Sequence, residues 1–291
     1  MNIGYIKLDK LNKIQYIFRN TFKIINKQNN CYYIPSNNKK ILNKLKERLE
    51  KDKIDYIVKE EGINCEYKEP NGKYIVKYIL PEIVKECLMK LEKEEKLEEI
   101  YICVEKFTKE NIQIVEEMCE NVKVVNIVTS NIRQFQELEK RLEKREVYIT
   151  VSNNKRKSLK RANVIVNIDF DDFKSYNVNR NSIIINTKEE FNLLKDFEGI
   201  CIERVEVCTN KVMRIFSEME NINKSKLIET EIMKLKEYLQ KREMIKTNKL
   251  EIRKIYGRRN EIESKEFENM KRNFNQRGRS FLVENWGKYC K

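Results

Sequence analysis

The sequence predicts an α/β protein built on a doubly wound, mostly parallel sheet, with a smaller α/β domain before it and a basic helical tail after it. Three observations carry this. Six short apolar, β-branched runs recur between residues 100 and 207. Stretches with apolar residues at helical spacing lie between them. A charged run at residues 92–99 (EKEEKLEE) and a change of character at Thr209 mark the limits, which divides the chain into 1–98, 99–208 and 209–291.

In the middle segment the first run is IYICV at 100–104, too short for a helix and suited to a strand buried on both faces. Thr108 stands where a helix cap belongs, and Ile112, Val115, Met118 and Cys119 follow on one helical face. VKVVNIVT at 122–129 is the second run. Ser130 or Asn131 caps the next helix, which carries Phe135, Leu138 and Leu142. Runs at 147–151, 164–168, 183–185 and 200–207 continue the series, with short helices expected in the third and fourth gaps. Thr187 and Glu190 have capping-box spacing ahead of Phe191 and Leu194. Parallel neighbours need crossovers of this length, and the right-handed rule makes the doubly wound order the first choice.

Residues 1–98 read as a smaller α/β unit. Strands are expected at 3–8, 31–35 and 55–58. Helix faces are marked by Ile14, Ile17, Phe18 and Phe22, and by Ile41, Leu42, Leu45 and Leu49. Pro70-Asn71-Gly72 is the clearest turn, and 75–91 reads as one long helix with Pro81 as a kink or break. The last 83 residues differ in kind: from Thr209 there are 21 Lys and Arg against 12 Glu and no Asp, which is +9 of the formal +14. Val212, Ile215, Phe216 and Met219 suggest a helix, and 228–244 a longer one carrying Ile232, Leu235 and Leu239. Arg beside Gly at 256–259 and 275–279, with Phe274, Phe281, Trp286 and Tyr289, gives the tail the basic and aromatic character of a polyanion binder, against the plainer reading of a basic extension.

Composition narrows the chemistry. There is no histidine, which removes the commonest general base, the usual nucleophile pairs and the commonest metal ligand. Seven glycines leave few phosphate-cradling loops, which argues against a P-loop. The eight cysteines show no Cys-x-x-Cys spacing, and several lie in apolar runs where Cys serves as a small core residue, so no metal site is expected. Reduced thiols, and the lack of a signal-peptide core or a membrane-length apolar run, fit a cytoplasmic protein.

Two segments carry a family resemblance. VVNIVTSN, at 124–131, is similar to the second strand of the dinucleotide-binding domain in the shikimate dehydrogenase and glutamyl-tRNA reductase group. SLKRANVIVNID, at 158–169, resembles that group's helix, strand and Asn segment. The resemblance implies a Rossmann-like NAD(P)-binding domain over about a hundred residues, preceded by an α/β domain as in shikimate dehydrogenases. It also implies a crevice at the strand C-termini, where Glu105, Ser130, Arg133, Asn153, Asp169 and Thr187 would stand.

The departures from that pattern decide the functional expectation. The first βα turn, 105–110, reads EKFTKE and has no glycine, so a diphosphate cannot approach its backbone. Asp169 stands where small residues are usual and would repel a diphosphate. After the second strand Thr129, Ser130 and Asn131, with Arg133, could suit a 2′-phosphate. In the stretch 155–161 the basic residues Lys155, Arg156, Lys157, Lys160 and Arg161 are candidate anion contacts, or else the solvated face of a short helix with Leu159 and Ala162 turned inward. The expectation is a protein that keeps the sheet, has lost the dinucleotide, needs no cofactor, and serves a regulatory or scaffold role rather than an enzymatic one. An NADP-linked oxidoreductase is the alternative. A binder of nucleic acid or another anionic surface through the tail is the third reading, with a protein partner also open.

Overall fold

The structure, a computed structural model, describes residues 1–92, 99–142, 147–258 and 260–274, with the side chain of Glu218 left out. Most of the run at 92–99, Arg259, and the tail features at 275–279, Phe281, Trp286 and Tyr289 lie outside the described residues. By contacts the chain forms two compact units, 1–74 with 206–250, and 75–205 with 251–291. The expected division at 98 and 208 cuts the chain differently, because the last 83 residues contribute to both units.

The first unit holds β1 (Ile3–Leu8), α1 (Lys13–Phe22), β2 (Asn26–Gln28), β3 (Cys31–Ile34), α2 (Lys39–Lys51) and β4 (Tyr56–Lys59). Its sheet runs β2-β3-β1-β4, parallel except for β2. A mainly parallel sheet must bury both faces. Ile41, Leu45 and Leu49 of α2 cover Ile6, Tyr32, Ile34 and Ile57 on one side. The other side, with Ile3, Tyr5, Cys31 and Val58, is covered by Ile222, Leu227 and Met233 from far down the chain. At Pro70-Asn71-Gly72 the chain bends, with Gly72 at φ +84°, where a side chain would be strained. The buried Glu229 carboxylate fixes it, accepting the Gly72 and Tyr74 N–H groups at 2.7 and 3.0 Å.

The second unit opens with α3 (Lys73–Val76), whose first two residues still belong to the first, and α4 (Leu80–Lys90). The single long helix expected at 75–91 is thus two, because Pro81 lies in the first turn of α4, where its missing N–H costs nothing. Then come β5 (Glu99–Cys103), α5 (Lys109–Asn121), β6 (Val124–Val128), α6 (Ile132–Leu142), β7 (Tyr148–Ser152), α7 (Lys155–Arg161), β8 (Val164–Asn167), β9 (Ile183–Asn186) and β10 (Ile200–Ile202). All six strands are parallel, in the order β10-β9-β8-β5-β6-β7. The chain steps outward from β5 to β7 and returns past β5 to β8, so the switch point lies between β5 and β8. Tyr101, Cys103, Ile165 and Ile184 bury against Leu159 of α7, against Ala162 just past its end, and against Phe170, Phe173, Phe191 and Leu193.

Three expectations in this unit fail. No helix fills the β8–β9 gap, and Thr187 and Glu190 start no helix in the β9–β10 gap. In both, an irregular chain buries Phe170, Phe173, Phe191 and Leu193 over the sheet, doing the work of a helix without its backbone. The run at 200–207 is two strands: after β10 the chain leaves the sheet as β11 (Arg204–Cys208), which pairs with a later strand.

The rest is α8 (Arg214–Glu218), α9 (Lys224–Lys234), α10 (Tyr238–Thr247) and β12 (Glu251–Tyr256), followed by helical residues 264–274. The helix expected at 228–244 is broken at Leu235 between α9 and α10, and Leu239 is exposed. β12 is the partner of β11. Residues 209–250 are therefore not an appended helical tail: Leu227, Ile228, Ile232 and Met233 of α9 are core residues of the first unit. Among the described residues, no helix is long and apolar enough to cross a membrane.

Candidate functional site

The candidate site lies over the switch point, at the turns that follow β5 to β9. Each turn contributes one of the expected residues: Glu105, Ser130, Asn153, Asp169 and Thr187 stand one or two positions past their strands. Arg133 lies in the first turn of α6, exposed, with no partner among the described residues.

The turn after β5 is held by side chains, which explains why it needs no glycine. Thr108 caps α5 through the Asn111 N–H, and Phe107 packs edge-on against Phe135 of α6, ring centroids 5.0 Å apart. The N–H groups of Glu105 and Lys106 both point at the Asp169 carboxylate, at 2.6 and 2.8 Å. The Asn111 side-chain amide joins them at 3.2 Å. A carboxylate of the chain itself therefore sits on the donors that a nucleotide-binding version of this turn would offer to phosphate oxygens. Hydrogen bonds of this charge-assisted kind are the strong ones.

The second turn is closed in the same way. Glu105 accepts the Ser130 N–H at 2.8 Å and the Ser130 hydroxyl at 3.3 Å. It also pairs with Lys155, whose ammonium lies over the Phe170 and Tyr176 rings, 4.7 and 5.4 Å from their centroids. Burial lowers the Lys155 pKa, but the hydrogen bond and charge of Glu105, helped by Tyr176, outweigh it and leave the pKa above its ordinary value. Lys155 is thus a cation already spent on Glu105 rather than a free anion contact. Cys103, beneath this corner, has its thiol pKa pushed well above the ordinary value by burial, with the Asp169 charge adding to it.

The remaining expected residues have other work or none. Thr187 donates its hydroxyl to the Asn167 and Ile168 carbonyls at 3.1 and 2.9 Å. Asn153 is exposed and accepts the Lys155 N–H at its carbonyl, 2.9 Å. Leu159 of α7 and Ala162 just past its end are buried in the core, while Arg156, Lys157, Lys160 and Arg161 are solvated. Sequence reasoning did not single out Asn111 or Tyr176 here, nor the buried Asn167–Asn186 amide contact at 2.9 Å across the ends of β8 and β9. A polar residue at the end of an apolar run was the available signal, and Asn167 and Asn186 both carry it.

The residues present do not fit a dinucleotide diphosphate. Its oxygens would need the N–H groups of Glu105 and Lys106, which Asp169 holds, and would meet the Glu105 carboxylate at the second turn. Two like charges 4 Å apart repel by about 4 kcal/mol at an effective dielectric constant of about 20.

No family model matches the sequence, and no curated protein does. Solved structures similar to the chain include shikimate dehydrogenase from Aquifex aeolicus, 12% identical, covering 64% of this chain and 78% of that one at a TM-score of 0.27. L-tryptophan dehydrogenase from Nostoc punctiforme is 9% identical, covering 85% and 80% at 0.32. Quinate dehydrogenase from Corynebacterium glutamicum in complex with NAD is 8% identical, covering 84% and 99% at 0.32. The fold follows from the strand order itself: the parallel sheet of residues 99–202 is Rossmann-like, the architecture of NAD(P)-binding domains, with its first turn closed by the chain's own aspartate.

Proposed function

We propose that this Rossmann-like domain takes up no dinucleotide at its switch point, and that the protein serves as a regulatory or scaffold component rather than an oxidoreductase. The observation that carries this reading is the Asp169 carboxylate on the Glu105 and Lys106 N–H groups. Binding a diphosphate would first have to break these bonds, each worth about 1.5–3 kcal/mol to a charged acceptor. It would then face the like-charge repulsion described above. Together these reduce affinity by several orders of magnitude. The lack of any histidine supports the same reading, because it withdraws the commonest proton-transfer group. We place the protein in the cytoplasm, a reading supported by the seven described cysteines, all free thiols.

The NADP-linked reading rests on Ser130 and Arg133. Of these only Arg133 is uncommitted, since Glu105 takes both the N–H and the hydroxyl of Ser130. Thermal denaturation with NAD, NADH, NADP and NADPH at millimolar concentration separates the two. No stabilisation is expected, whereas a rise equivalent to a few kcal/mol would establish the dinucleotide reading instead. Polyanion binding through the tail concerns chiefly residues beyond 274. Truncation after Phe274 tests it without cutting α10 or removing β12, and salt-sensitive RNA or DNA binding that vanishes with the truncation would favour that third reading.

A further inference from the structure

Helix α1 is mounted with its polar side inward. Arg19 pairs with Asp9 and donates to the Ile24 and Tyr33 carbonyls, both at 3.2 Å. Asn20 accepts from Ser36 and from Asn38 at 2.7 and 2.8 Å. No residue of the helix is buried. Its apolar residues recur at i, i+3, i+4 and i+8 and face solvent: Ile14 is 80% exposed, Ile17 56%, Phe18 55% and Phe22 62%. The Phe18 and Phe22 rings touch, centroids 4.9 Å apart, so they form one ridge. The core of this unit does not use that ridge, because α2 and α9 already cover both faces of the sheet.

The helix itself carries charge of one sign, from Lys13 and Arg19. The helix contains no acidic residue, and Lys10, Lys13 and Lys23 at its ends make no ion pair among the described residues. The chain continues into Ile24 and Ile25, which line a cavity of about 380 Å³ with Lys27, Lys44, Glu47, Arg48 and Lys51; Lys27 and Arg48 are paired with Asp52, while Lys44 and Lys51 add to the positive charge. Residues 1–59 hold 14 Lys and Arg against five acids, so this end of the chain is as basic as the C-terminal segment.

We propose that α1 docks this unit onto a bilayer containing anionic lipid. Ile14, Ile17, Phe18 and Phe22 enter the boundary between headgroups and acyl chains, and the surrounding lysines meet the lipid charge. An apolar helix face bordered by cations is the pattern of an interfacial helix. A second copy fits less well, because a two-fold contact would set Lys10, Lys13 and Lys23 of one copy against the same lysines of the other with no acid on the helix to answer them. An acidic protein would need a groove shaped to a convex ridge, whereas a bilayer conforms to it.

The test is co-sedimentation of the full-length protein with phosphatidylserine–phosphatidylcholine vesicles and with phosphatidylcholine alone. Binding to the first, weakened by salt, is expected. The double substitution Phe18→Ser, Phe22→Ser should reduce it at least about tenfold, since it removes both aromatic rings from the apolar face. Both rings are exposed, so the variant should keep its Tm. A second measurement does not depend on that: Phe18→Trp in a Trp286→Phe background should shift its emission to the blue on adding anionic vesicles. The proposal is overturned by absence of binding to anionic vesicles. It is equally overturned by binding that survives the double substitution, which would assign it to the basic C-terminal segment, or by a dimer that the same substitution dissociates.

Discussion

Replacing Asp169 by Asn tests the closed first turn directly. The wild-type carboxylate gives one oxygen to the Glu105 N–H at 2.6 Å and the other to the Lys106 N–H and the Asn111 amide at 2.8 and 3.2 Å. Asn has nearly the same shape but only one accepting oxygen. Its NH₂ group must therefore face a donor, either the Glu105 N–H or the pair from Lys106 and Asn111. At least one bond to a charged acceptor is lost, about 1.5–3 kcal/mol, and the surviving bond weakens because its acceptor is now neutral. Lys106 is exposed, so water relieves part of the cost on that side. A net loss of about 2 kcal/mol is expected, a fall in Tm of roughly 4–8 °C for a unit of this size. The assay is thermal unfolding followed by circular dichroism, with urea unfolding as a check on the free energy. An Asp169→Asn protein within about 0.5 kcal/mol of wild type, the range of ordinary surface changes, would refute the reasoning that this carboxylate holds the turn.

Further outcomes follow from other parts of the structure. A Cβ added at Gly199 would lie 2.1 Å from the Ser182 carbonyl oxygen, a backbone atom that cannot swing aside, so Gly199→Ala should cost about 1–3 kcal/mol in urea unfolding. Asp52, bonded first by Lys27 and then by Tyr32, is held down to a pKa of about 2 from an ordinary 3.8. Its contribution is present above the ordinary value and is lost as the pH falls through about 2. Acid unfolding of wild type should accordingly show a loss over that window that Asp52→Asn lacks. Native alkylation with iodoacetamide should label the half-buried Cys201 and Cys208 well before Cys31, Cys65, Cys87, Cys103 and Cys119. Burial keeps the thiols of Cys31, Cys65, Cys87 and Cys103 above their ordinary pKa, and mass spectrometry of the peptides reads the order.

The sheets were the most legible part of the chain. Strands of a parallel sheet appear as short apolar runs, and those at 3–8, 100–104, 122–129, 147–151, 164–168 and 183–185 correspond to β1, β5, β6, β7, β8 and β9. Helices were legible where a cap and a face agreed, as with Thr108 ahead of α5 or Ile41, Leu45 and Leu49 on α2. They were misread where the face was real but the backbone was not helical. Phe191 stands at an apparent helix start, yet it packs from an irregular chain against Phe173, ring centroids 5.9 Å apart. Of the crevice, the sequence showed which turn each residue occupies. It did not show that Glu105 would bind Ser130 and Lys155, or that Asp169 would bind the turn after β5, because these bonds join residues 25 to 64 positions apart.

By itself the sequence determined the parallel, doubly wound sheet, since strand burial and crossover length are written locally in apolar runs and the gaps between them. Only the tertiary structure decided which surface covers which. Periodicity shows that a helix has an apolar face, but not whether anything lies against it. For α1 and α9 the answers were opposite: Ile17 and Phe18 stand in solvent, while Leu227 and Met233 close the sheet of the first unit. The physical reason is that a sheet of limited width has only two faces. Which helices reach them first depends on the path of the whole chain, not on the helices themselves.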